Sequence, residues 1–298
     1  MRERGNDRFI VGGMSGTFRR NRLSAILAVT MSAETFRGKV DPAREHGVWY
    51  GMHALGRDAL PMEITAGGRT FKISRFIKHD FFAATGFYAD VRTGERAVLK
   101  MSRTQPFIGL PLRWLGRWIN RREMRFYAKL ADLPNVPGII GAVGDTGFVH
   151  AFADGEPLSA QSTIPDDFFD DILRLIELFY ARGMAIVDTN KPENILLGDD
   201  GRPHLIDFQI SFDILDLGDY WPARPLLRML RRTDVYHVLK HKKRLRPDLL
   251  SDAEAAMVER RSWPVRLHRT LTRPYFIIRR RLFAYLRIKG KLMPEGSK

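Results

Sequence analysis

Apolar positions recur along this chain with two distinct periods, and the change from one to the other outlines its elements. Residues 70–78 alternate in part. Phe87-Tyr88-Ala89-Asp90-Val91-Arg92 and Arg96-Ala97-Val98-Leu99-Lys100-Met101 read as strands, and the intervening Thr93-Gly94-Glu95 reads as a turn, so the two form a hairpin. From 113 to 132 the period becomes helical, with Leu115, Ile119, Phe126, Tyr127 and Leu130 on one face. Two prolines in Leu133-Pro134-Asn135-Val136-Pro137-Gly138 end it. Short strands follow at 139–142 and 147–152, then a linker, Asp154-Gly155-Glu156-Pro157. Residues 166–182 form a strongly amphipathic helix that stops at Gly183. Beyond a polar loop, 195–197 and 204–206 flank Asp199-Asp200-Gly201 as a second hairpin. The remainder reads as helical and basic. Residues 1–60 show little periodicity and are expected to be loosely structured with one or two short helices.

Composition narrows the class. With 298 residues, 44% hydrophobic and 28% charged, the chain is long and apolar enough for one or two globular domains. The absence of cysteine excludes disulfides, thiol catalysis and cysteine-ligated zinc. No apolar run approaches the ~20 residues of a membrane span. Residues 19–33 imitate a signal peptide, with a basic start and a short apolar run; the simpler reading is a leader or a short amphipathic helix.

Charge is segregated. Residues 221–298 carry 21 Lys plus Arg against 6 Asp plus Glu, whereas the rest of the chain holds 28 of each sign. A basic region attached to a neutral core implies an anionic partner. Residues 226–232 and 273–291 mix aromatic or aliphatic side chains with cations, as does the stretch around Arg113, Trp114, Arg117 and Trp118. That composition suits an anionic membrane surface, or else apolar faces packed on the core with solvated charges. Nucleic acid is the weaker reading, since no recognised module is present. His237, His241 and the basic residues 240–246 read either as a phosphate-binding patch or as plain surface, and the polar run at Asp234, Tyr236 and His237 has no assigned role.

The chemistry concentrates in Val187-Asp188-Thr189-Asn190-Lys191-Pro192-Glu193-Asn194-Ile195-Leu196-Leu197, followed by Leu205-Ile206-Asp207-Phe208. Phosphoryl transfer from ATP needs a carboxylate to orient the acceptor hydroxyl, a cation to balance developing charge, and oxygen ligands for Mg²⁺. This stretch resembles the catalytic loop and metal-binding aspartate of the protein-kinase-like superfamily. The resemblance covers about residues 70–215, and its specific motifs fall within 183–209.

Carried over position by position, the resemblance makes Asp188 the catalytic aspartate, with Lys191 as its cationic neighbour, and Asn194 and Asp207 the Mg²⁺ ligands. Lys100, ending an Ala-Val-Leu-Lys strand, would hold phosphates and pair with Glu123, the only acidic residue between Lys100 and Ala131. Thr85 and the amides of 84–86 would cover the phosphates from the first hairpin. The chain also departs from the family. Ile186 and Val187 replace His-Arg, and Asn194 follows Asp188 by six residues rather than five. Gln209 replaces the glycine of Asp-Phe-Gly, and neither Gly-x-Gly-x-x-Gly nor Ala-Pro-Glu is present. These departures point to a minimal, atypical kinase of the RIO, lipopolysaccharide sugar kinase or aminoglycoside-choline kinase-like type.

The expected fold is α+β and two-lobed, protein-kinase-like, with a small antiparallel-sheet N-lobe and a mainly helical C-lobe. The expected division is an extension at 1–60, an N-lobe at 61–153, a C-lobe at 154–235 and a basic helical extension at 236–298. The expected activity is ATP- and Mg²⁺-dependent phosphotransfer to a glycan, lipid-linked sugar or other small-molecule hydroxyl. It would take place in the cytoplasm, peripheral to the inner face of a membrane. The alternative is a pseudokinase scaffold that docks on a membrane or a partner through its basic helices.

Overall fold

Turn chemistry and strand alternation build the smaller lobe. The computed structural model describes residues 50–107, 109–218 and 220–259, with residues 281 and 285, all within the contact unit Gly47–Lys298. The signal-like stretch, and 273–291 apart from those two residues, lie outside the described residues. Six strands, β1 (Glu63–Ala66), β2 (Arg69–His79), β3 (Ala83–Asp90), β4 (Arg96–Ser102), β5 (Ile139–Val143) and β6 (Gly147–Ala151), form an antiparallel sheet in the order β1-β2-β3-β4-β6-β5. β3 alternates in burial along most of its length. Its Tyr88 packs with Phe71, Ala97, Leu99 and Val149 in one apolar cluster.

Sequence patterning missed β1, which is only four residues long. Its signal is the Gly67-Gly68 turn, with φ of 56° and 71°, the left-handed geometry that a two-residue hairpin loop requires. A Cβ on Gly67 would also lie 2.4 Å from the Ile140 carbonyl oxygen, so the position has no room for a side chain.

One helix, α1 (Arg113–Lys129), lies on this sheet, ending three residues before the expected boundary. Its Phe126 and Tyr127 continue into a second apolar cluster with Phe148, Phe168, Phe179 and Phe208. This core therefore runs without interruption from the smaller lobe into the larger. There α2 (Phe168–Ala181) buries Phe168, Phe169, Ile172, Leu175, Ile176 and Phe179, the helical stripe read from sequence. Gly183, at φ 74°, turns the chain out of it.

The junction between lobes is made of short strands. β7 (Gly155–Pro157), β9 (Ile195–Gly198) and β10 (Pro203–Leu205) pair as β10-β9-β7, and β8 (Met184–Ala185) pairs with β11 (Phe212–Asp213). The helices α3 (Ile214–Leu217), α4 (Ala223–Leu245) and α5 (Asp252–Glu259) follow. The expected two-lobed α+β architecture is thus observed.

Two boundaries shift. Residues 50–60 are not loose: Leu55 and Leu60 are buried in the sheet's apolar cluster. Residue 235 is not an edge either, because α4 runs through it and buries Val238 and Leu239. No helix among the described residues is long and apolar enough to cross a membrane.

Candidate active site

The polar loop between β8 and β9 brings three predicted residues together. Asp188 Oδ2 accepts from Lys191 Nζ at 2.5 Å and from Asn194 Nδ2 at 3.1 Å. With the extra residue in the loop, Asp188 still meets both Lys191 and Asn194. Thr189 turns the other way and is buried. The Asp188 side chain is 13% exposed and that of Lys191 56%, so the carboxylate is shielded yet reachable, with an exposed cation beside it.

Lys100 makes the second cluster. Its Nζ lies 2.7 Å from Glu123 Oε1 and 2.7 Å from Asp207 Oδ1. Strand β4 presents the lysine and α1 the glutamate, as the predicted pair requires. Burial by itself would lower the Lys100 ammonium, but Glu123 and Asp207 outweigh it and hold the group well above the usual lysine range. Burial pushes the Glu123 carboxyl up, opposed by the adjacent ammonium. For Asp207, burial would raise the carboxyl; Lys100, then Lys78 and Lys191, pull it far below the usual carboxylate range. Three lysines thus converge on one aspartate.

Asn194 and Asp207 stand side by side because the Ile206 amide donates to the Asn194 carbonyl at 3.1 Å. Asp207 has φ 64°, a left-handed conformation that costs a non-glycine residue about 1–3 kcal/mol and is held here by its ion pairs. The donor set suits Mg²⁺. Asn194 directs its Nδ2 at Asp188, leaving the amide oxygen for a cation. Asp207 Oδ2 lies 4.0 Å from Lys78 Nζ, the nearer ammonium of Lys100 being on Oδ1. One carboxylate and one amide oxygen are hard ligands, and Mg²⁺ at phosphate sites takes few ligands from protein. Among the described residues no group of three or more His, Cys, Asp or Glu gathers into an all-protein cage.

The first hairpin differs from expectation. Residues 84–86 pair with both β2 and β4, so their backbone groups belong to the sheet ladder. A Cβ on Gly86 would lie 2.8 Å from Leu60 Cδ1, which makes this a packing glycine. Thr85 sits opposite Lys100, its Oγ1 buried with no hydrogen-bond partner. An unsatisfied buried hydroxyl costs about 1–3 kcal/mol.

Sequence reading missed the group that holds the loop. Asp234, fully buried on α4, accepts from the amides of Ile186 and Val187 and from the Thr189 hydroxyl, each at 2.9 Å. Val187 has φ 70°, a strained conformation for a β-branched residue, and its amide bond to Asp234 fixes it there. Burial pushes the Asp234 carboxyl up to about 6. His241 donates through Nε2 to the Thr189 carbonyl at 3.0 Å. Lys242 is 5% exposed and pairs with Glu254 at 2.9 Å. Part of the supposed phosphate-binding patch is therefore internal support. The one sequence signal was a lone aspartate inside a basic amphipathic helix.

Comparison with known proteins gives partial likenesses. No protein-family model matches the sequence, and no curated protein matches it. Among solved structures, the Rio2 kinase from Chaetomium thermophilum is 22% identical, covering 58% of this chain and 56% of that one, with a TM-score of 0.45. A Rio2 kinase-ADP/Mg²⁺-phosphoaspartate complex from the same organism is 21% identical, covering 63% and 61%, with a TM-score of 0.46. The BubR1 kinase domain is 15% identical, covering 78% and 76%, with a TM-score of 0.45. The chain thus spans 56% and 61% of the two Rio2 chains. What the site can do rests on its own geometry.

Proposed function

We propose that this protein is a Mg²⁺- and ATP-dependent phosphotransferase of minimal kinase type, acting on an alcohol. The observation that carries the reading is the meeting of Asp188, Lys191 and Asn194 on one loop, beside an Asp207 already paired with Lys100. ATP would lie between the lobes with its phosphates at Lys100. Asp188 would orient the acceptor hydroxyl and take its proton as the oxygen attacks the γ-phosphorus, while the bond from that phosphorus to the β–γ bridging oxygen breaks and ADP leaves. Lys191 would balance charge on the transferring group. Asn194 and Asp207 would hold the accompanying Mg²⁺, which neutralises phosphate charge when bound. The intact Lys100–Glu123 pair favours turnover over the alternative of a silent scaffold.

The acceptor we propose is a glycan, a lipid-linked sugar or another small molecule. The missing Ala-Pro-Glu speaks against ordinary peptide docking. An anionic membrane surface is the proposed setting. On the outer face of α1, Trp114 and Trp118 are 63% and 53% exposed, in line with exposed Arg117 and Arg121. Substituting Asp188→Ala should abolish transfer and spare ATP binding. Transfer at an unchanged rate would remove Asp188 from the mechanism.

A further inference from the structure

The tip of the β2–β3 hairpin has three of its backbone donors committed. Asp80 Oδ1 accepts from the amides of Phe82 and Ala83 at 2.8 and 2.9 Å, and the Asp80 amide donates to the Ala83 carbonyl at 2.9 Å. The tip is also clamped from behind. Arg103, fully buried, donates to the carbonyls of Phe81, Gly51, Pro106 and Gln105, and its guanidinium lies 4.1 Å from the Phe81 ring centroid. A glycine-rich loop binds phosphate with free amides on a pliable backbone. This hairpin has most of its tip amides committed and its backbone clamped.

It offers side chains instead. Lys78 on β2 is in register with Thr85 on β3, and Thr85 with Lys100 on β4. Residues directly opposite in adjacent strands share a face, about 4.8 Å apart. Lys78, Thr85 and Lys100 therefore form a straight row across the sheet on the face that looks onto Asp207. Distances agree: Lys100 Nζ is 2.7 Å from Asp207 Oδ1 and Lys78 Nζ 4.0 Å from Oδ2. Lys78 also pairs with Asp80 Oδ2 at 3.6 Å, and its side chain is 48% exposed, so this is a surface ion pair that an incoming anion can displace. The hydroxyl in the middle of the row lacks a partner.

We propose that Lys78 is a second phosphate-binding cation, gripping the nucleotide's phosphates together with Lys100 and the Thr85 hydroxyl, in place of a glycine-rich backbone cradle. The inference rests on the nucleotide reading given under the proposed function. It predicts that affinity depends steeply on the number of phosphates, and that Lys78 supplies part of that dependence. A lysine that merely balanced Asp80 or Asp207 would not discriminate among nucleotides.

The test is calorimetry on the full chain with Mg²⁺, titrating ATP and AMP into the native protein, Lys78→Met and Lys78→Arg. Lys78→Met should weaken ATP about tenfold or more, the loss of one charge-assisted contact, and leave AMP unchanged. Lys78→Arg should restore most of the loss. ATP binding unchanged in Lys78→Met, or AMP weakened as much as ATP, would overturn the assignment while leaving the nucleotide site standing. A native protein that binds neither nucleotide would overturn both readings together.

Discussion

The two walls of the cleft hold their charged groups by opposite means. On the sheet side, Lys100 is fixed by strand register and by ion pairs to Glu123 and Asp207, so its own charge is part of the scaffold. On the loop side, Asp188 and Lys191, the groups proposed for the chemistry, hold little structure together. Their loop is held by Asp234, which takes three hydrogen bonds from its back. On the proposed roles, the sheet wall combines support and chemistry in one residue, while the loop wall separates them. Substitutions in the two walls should therefore fail differently.

The largest effect belongs to the sheet wall. Lys100→Met leaves Glu123 buried and unpaired, and should cost about 3–5 kcal/mol of stability in denaturant unfolding. ATP affinity should fall with it. A Lys100→Met protein as stable as the native one would mean that the pair does not support the fold.

The loop wall gives the sharper contrast. Asp234→Asn places an amide donor against one of the two backbone N–H groups, because Ile186 and Val187 donate to different carboxylate oxygens, and should lower the turnover number while leaving ATP affinity intact. The destabilisation should be about 1–3 kcal/mol. Equal loss of binding and turnover would erase the distinction between the walls. Acidity offers a second handle. The folded carboxyl of Asp234 titrates near 6, above its ordinary 3.8, so the folded state holds this proton more tightly than the unfolded state does. The group's contribution to stability is therefore greatest below pH 4 and declines by on the order of 3 kcal/mol as pH rises through 6. Activity should run the other way, because only the ionised carboxylate accepts from all three donors. We expect turnover to fall as pH drops below about 6, and stability between pH 4 and 6 to flatten in Asp234→Asn.

The smallest effect lies outside both walls. Trp114 and Trp118 are mostly exposed, so replacing both with Ser should change stability by less than about 1 kcal/mol. Binding to vesicles containing anionic lipid should nevertheless weaken. Unchanged vesicle binding would detach α1 from any membrane role.

The same contrast explains what could be read from the chain. The residues placed in the chemistry, Asp188, Lys191, Asn194 and Asp207, stand out because phosphoryl transfer fixes residue types at short spacings within one loop and hairpin. Lys100 and Glu123 were legible through a strand ending and a process of elimination. Asp234 was not, since it acts across 45 residues from Thr189 and its partners are mostly backbone amides, which leave no trace in sequence. Arg103 was hidden for the same reason, as its partners are carbonyls. Thr85 was singled out for its hydroxyl and does face Lys100, but the amides beside it were committed to a ladder that only strand register reveals.

One measurement bears most directly on the central claim: calorimetric binding of ATP with and without Mg²⁺, in the native protein and in Asp207→Ala. The site described here predicts Mg²⁺-dependent binding in the native protein and its loss in the variant. Binding that ignores both Mg²⁺ and the Asp207→Ala substitution, or no binding by the native protein at all, would contradict it.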